Sequence, residues 1–134
     1  MSQWTHIIGC IRIDGLPGVV ESHTVENVKK IFGPMCLFDD WNEKSTLPLG
    51  SEGGLQYQVI EYYHGIPWVV IPIWGDLRNF GPEDILIITD WWEQILAKLE
   101  KESFIIRDAI LQSEPEGFPQ TILTKDGEFP CAQD

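Results

Sequence analysis

Positions 4–14, WTHIIGCIRID, alternate imperfectly between apolar and polar residues and are rich in β-branched side chains. This predicts a strand that ends at the turn signal Asp14-Gly15-Leu16-Pro17-Gly18. Alternation turns Ile7, Ile11 and Ile13 toward a core and leaves His6, Ile8, Cys10 and Arg12 together on the opposite face. Val25, Val28, Ile31 and Phe32 then recur at helical spacing. They predict a short helix over 23–32, with Ser22 or Thr24 as N-cap and Gly33-Pro34 as the stop. From Gly33 to Gly54 the chain turns to Gly, Pro, Asp, Asn and Ser, with Met35, Leu37, Phe38, Trp41 and Leu47 scattered among them. A loop of about 20 residues is long for a small domain, and such loops are usually functional or packed down by their own side chains.

Two β-rich runs, 55–63 (LQYQVIEYY) and 66–74 (IPWVVIPIW), flank His64-Gly65 and predict a hairpin. Leu55, Tyr57 and Val59 face inward in this reading and Gln56 and Gln58 outward, while Pro72 calls for an edge or a bulge. From Pro82 to Lys101, Ile85, Ile88, Trp92, Ile95, Leu96 and Leu99 share one helical face, which marks the principal helix. Glu83 and Asp84 at its start and Lys98 and Lys101 at its end complement its dipole. Residues 104–112 (FIIRDAILQ) read as a further strand, and Asp126-Gly127 within 123–129 as a terminal turn or hairpin. The order β-α-β-β-α-β predicts a ferredoxin-like α+β fold for one domain spanning 1–134. The expected arrangement is a four-stranded antiparallel sheet with both helices on one face and the long loop after the first helix.

Charge narrows the function classes. Nine Lys and Arg against 21 Asp and Glu leave a net charge of −12 in 134 residues. Such a surface repels phosphate backbones, since nucleic-acid affinity rests on Lys and Arg displacing counterions, so direct duplex binding is not expected. The same field attracts basic surfaces, or serves solubility alone. Cys10, Cys36 and Cys131 leave at least one thiol unpaired and show no CxxC spacing, which suits a reducing compartment. No window reaches the roughly 18 apolar residues of a membrane span, and the N-terminus lacks a basic, apolar leader. A cytosolic protein is expected.

Catalytic and metal signatures are weak. His6, His23 and His64 fall in different elements without HxH or HExxH spacing, and Asp39, Asp40 and Glu43 lack the glycine pivot and terminal Glu of a calcium loop. No GxSxG, P-loop or GxGxxG occurs, and no metal, cofactor or enzymatic activity is expected. Two polar constellations remain. Gly50-Ser51-Glu52-Gly53-Gly54 is either an anion-binding nest or a plain loop entering a strand. Arg12, Arg78 and Arg107 lie at or near strands; with His6 they would bind a phosphate or carboxylate if they converge, or else each pairs with an adjacent acid, Asp14, Asp76 or Asp108. Six tryptophans are many for this length, and Trp91 falls about 90° from the centre of the main helix's apolar face. It is either an anchor for an interface, with another copy or another protein, or it packs under the long loop.

Thr5-His6 with Gly9, Ile11-Arg12-Ile13-Asp14, Gly50-Ser51-Glu52-Gly53, Trp74-Gly75-Asp76-Leu77-Arg78 and Arg107-Asp108-Ala109-Ile110-Leu111 occur in succession. In this the chain resembles a group of small bacteriophage-encoded proteins of unassigned function. The resemblance implies expression in a bacterial cytoplasm, and phage proteins of this kind often act by binding. Two readings follow. In the first, the chain is a non-enzymatic anti-defence factor, anti-CRISPR-like, that inhibits a host protein through acidic and aromatic surface including Asp39, Asp40, Glu43 and Trp91. In the second, it is a sponge that sequesters a nucleotide immune signal with His6, Arg12, Ser51, Gly53, Trp74, Arg78 and Arg107.

Overall fold

In the computed structural model, residues 2–14, 24–36, 45–63 and 67–129 are described. The expected turns at Gly15–Gly18 and His64-Gly65, the N-cap option Ser22, and His23, Asp39, Asp40, Trp41, Glu43 and Cys131 lie outside the described residues.

The alternating N-terminal segment forms β1 (Trp4–Asp14), the middle of the sheet. Helix α1 (Thr24–Phe32) follows, then short strands β2 (Gln56–Tyr57) and β3 (Ile60–Tyr63), and the long strand β4 (Pro67–Arg78). A 3₁₀ turn at Pro82–Asp84 leads into α2 (Ile85–Lys101). The chain then adds β5 (Ile105–Pro115), β6 (Thr121–Thr124) and β7 (Gly127–Phe129). All pairings are antiparallel: β1 lies between β4 and β5, β6 and β7 extend the β5 side, and β2 and β3 both pair with β4.

This corrects the four-stranded ferredoxin-like sheet expected from the sequence: among the described residues the sheet has seven strands, with two helices. Two causes are local. The expected strand 55–63 is split, because Gln58 and Val59 lie opposite Pro72 and Ile71, and proline has no N–H to give to the ladder. Gln58 still donates its N–H to the Pro72 carbonyl, and the register from Tyr57↔Ile73 to Ile60↔Val70 runs on without a slip. At the other edge, Thr121–Thr124 and Gly127–Phe129 each have too few residues to show a period, yet the first pairs in register with β5 and the second with the first.

One core joins the sheet to both helices. Ile7, Ile11 and Ile13 of β1 meet Val28 and Phe32 of α1 and Ile88, Trp92, Ile95 and Leu99 of α2, all buried. Gly33, at φ 80°, ends α1 and returns its N–H to the Lys29 carbonyl. Helix α2 ends with Ser103 at φ 70°, its N–H on the Glu100 carbonyl and the Phe104 N–H on the Leu99 carbonyl. That is the double hydrogen bond of a Schellman motif, and buried Phe104 supplies its apolar contact. No helix among the described residues is long and apolar enough to cross a membrane.

Candidate functional site: the uncovered face of the sheet

The register brings residues of three long strands into rows on the face opposite the core. Trp74, Ile8 and Gln112 form one row, Pro72, Cys10 and Ile110 the next, and Asp76, His6 and Glu114 the row on the other side. Apart from Gln112 the two middle rows are apolar, and they are open: Ile8 is 63% exposed, Ile110 50% and Trp74 41%. Antiparallel sheets commonly turn one face to water, but that face is then polar. A contiguous apolar band at the centre of such a face marks an interaction surface.

Charged groups frame the band. At one end His6 is held between two carboxylates, Nδ1 2.6 Å from Asp76 Oδ1 and Nε2 2.7 Å from Glu116 Oε1. Only an imidazolium donates from both nitrogens. Its pKa is raised above the ordinary value of 6.5 by the hydrogen bond to Asp76 first and to Glu116 second, with partial burial opposing. A raised folded-state pKa means the stabilisation is whole below 6.5 and is lost as pH rises through the folded value. His6→Gln is therefore expected to lower stability at pH 6 and to match the parent at pH 9. Because the pairs are exposed, the pH 6 difference stays within about 1 kcal/mol. Thermal denaturation of both proteins across that range checks it; a difference that grows toward pH 9 would contradict the ion-pair account. At the other end Arg12 lies over the Trp68 ring, 5.1 Å from its centroid, a cation–π contact.

The arginines do not converge. Arg78 Nη1 pairs with Glu52 and its Nε donates to Ser2 Oγ. Arg107 sits at a register shift in β5, where it is the extra residue, and pairs with the buried Asp14. Arg12 and Arg78 face the two ends of β1, since Arg78 is opposite Trp4, so at about 3.4 Å per residue they stand roughly 27 Å apart. Two of the three are held by acids, but not by the adjacent acids that the pairing alternative named: Arg78 takes Glu52 and Arg107 takes Asp14.

Gly50–Gly54 also has another use. Gly50 N–H donates to the Gly53 carbonyl, Ser51 N–H to the Arg78 carbonyl, and Arg78 N–H to the Glu52 carbonyl. The amides needed for an anion nest at 50 and 51 are thus taken up in docking the loop along the end of β4. A Cβ at Gly53 would lie 2.0 Å from the Asp76 carbonyl oxygen, so GSEG and WGDLR are two sides of one close contact. Asn79 Nδ2 adds a hydrogen bond to Ser51 Oγ.

Trp91 does not form an exposed anchor. It is buried, edge-on to Phe32 at 6.1 Å between ring centroids and beside Trp92, and with Leu47 and Pro48 it lines a groove. This is the packing under the loop that the sequence left open. The exposed apolar residues of α2 are Leu86 and Ile87. Cys10, on the uncovered face, has its thiol pKa raised by burial, which disfavours the thiolate a nucleophile needs. Among the described residues no group of three His, Cys, Asp or Glu could hold a metal ion.

Sequence reasoning placed Ile8 on this face but missed Ile110, Asp76 and Glu116 as parts of the site. The unbroken apolar run WVVIPIW is the signal that could have exposed it, since in an antiparallel strand it puts apolar residues on both faces. Comparison with protein-family models, with curated proteins and with solved structures finds no match for the chain.

Proposed function

We propose that the chain is a non-enzymatic binding protein that docks a protein partner on the uncovered face of its sheet. The observation that carries this is the band of Ile8, Trp74 and Ile110, open to solvent together on neighbouring strands of one sheet face and framed by Asp76, Glu114 and Glu116. The three long strands of this face, about 4.8 Å apart and roughly 35 Å long, offer roughly 500 Å², the scale per partner of a small, transient interface. The net charge of −12 favours a basic partner surface and speeds encounter with it. The resemblance to small phage proteins suggests a host defence protein, met in the bacterial cytoplasm and inhibited by occlusion. The sponge reading has less support, because Arg78 and Arg107 are committed to separate acids and Ser51 and Gly53 to loop docking.

The test is capture from host lysate with tagged parent protein and with an Ile8→Glu/Ile110→Glu variant. Both positions are exposed, so the fold should change by little more than about 0.5 kcal/mol per site. The captured partner is expected to fall at least tenfold in the variant and to fall again as salt rises. Undiminished capture by a folded variant would overturn this surface, and a nucleotide recovered without protein would favour the sponge.

A further inference from the structure

We infer that a small pocket at the acidic end of the uncovered face receives an arginine side chain of the partner protein. The inference rests on the binding reading above and deepens it by naming the group recognised. A cavity of about 280 Å³ is lined by Trp4, Gly53, Gly54, Gln56, Trp74 and Asp76. It falls just below the ~300–1,000 Å³ of small-molecule pockets, so it suits one side chain better than a nucleotide.

Its walls combine two indoles with a carboxylate, the pair of features that recognises an organic cation. Indole faces attract a cation through the ring quadrupole, and Asp76 supplies the counter-charge. The nearby imidazolium of His6 does not cancel this field. Asp76, Glu114 and Glu116 outnumber the single imidazole, so this end of the face stays net negative, and the adjacent Arg78–Glu52 pair is neutral. The glycines let the loop lie directly against β4 at this pocket, since a Cβ at Gly53 would meet the Asp76 carbonyl oxygen and one at Gly75 the Gly54 carbonyl oxygen. Guanidinium fits this lining better than ammonium, because it is planar, stacks on aromatic faces and is more weakly hydrated. The same sheet face already contains one such pairing, Arg12 over Trp68.

The experiment titrates N-acetyl-arginine amide into the full-length protein while following indole fluorescence and the indole N–H resonances of Trp4 and Trp74. A saturable response on the order of millimolar is expected, the range of a single weak site. N-acetyl-citrulline amide, which has the same shape without the charge, should respond at least tenfold more weakly. Trp74→Ala and, separately, Asp76→Asn should each reduce the arginine response at least fivefold, whereas Leu86→Glu, at an exposed position of α2 away from this face, should retain it. No response, an equal response to citrulline, or an unchanged response in folded Trp74→Ala would overturn the inference. Target capture that persists alongside such a result would leave the binding reading standing and remove only the arginine pocket. A dimer of the parent chain, seen by sedimentation and dissolved by Arg12→Ala, would also overturn it by assigning the pocket to a second copy.

Discussion

Trp92→Ala is expected to lower the unfolding free energy by about 3–5 kcal/mol, a large share of the ~5–15 kcal/mol of a typical domain. Trp92 is 1% exposed in the centre of α2, and its Nε1 donates to the Thr124 carbonyl of β6 at 3.0 Å. Alanine removes the ring from a core that cannot close around the void, and it also frees a carbonyl in one of the two short strands at this edge. For a chain of this length the melting temperature should fall by roughly 10–20 °C. Trp92→Phe keeps most of the volume and loses the hydrogen bond, so it should cost about 1 kcal/mol plus a small packing penalty. Calorimetry on the three proteins separates the two contributions. A cost below about 1.5 kcal/mol for alanine would show that α2 is not what holds β6 to the core.

Gly53→Ala is expected to cost about 2–5 kcal/mol through two additive effects. The residue sits at φ 74°, where a side chain costs about 1–2 kcal/mol. Its Cβ would also stand 2.0 Å from the Asp76 carbonyl oxygen, and relieving such crowding costs about 1–3 kcal/mol or undocks the loop. Gly117 provides the control, since at φ 82° it has the same backbone demand with nothing within 4 Å of its Cβ position. Gly117→Ala should therefore show the conformational cost alone. Hydrogen exchange should become faster at Gly50, Ser51 and Arg78 in Gly53→Ala, because the Gly50 amide closes the loop on the Gly53 carbonyl and the Ser51 and Arg78 amides join the loop to the strand. Equal destabilisation in the two variants would mean that the close contact with β4 carries no strain.

Local pattern made some of this legible. The stripe Ile88, Trp92, Ile95, Leu96 and Leu99 is buried as its spacing required, and Gly33 ends α1 where glycine supplies a left-handed residue. The end of α2 was harder, because Ser103 takes the left-handed position that glycine usually marks. Trp91 looked surplus because one helix face cannot bury two stripes. It is buried since Phe32 of α1 and the 47–48 segment close over that side of α2. The loop glycines at 50–54 and the strand residues 74–78 looked like separate motifs because residues 55–73 divide them. Only their contact shows that each fits the other.

By itself the sequence determined which face of β1 and of α2 turns to the core, because periodicity is a property of neighbouring residues. Ile7, Ile11 and Ile13 point into the core for that reason, and α2 lies on its apolar stripe. Tertiary structure decided how many strands the sheet would hold, which acid each arginine would find and which apolar face would stay uncovered. Those outcomes depend on register and coverage between segments far apart in the chain. The charge pairs show the distinction most clearly. Arg107 stands beside Asp108, yet a one-residue shift in β5 delivers it to Asp14, 93 positions away.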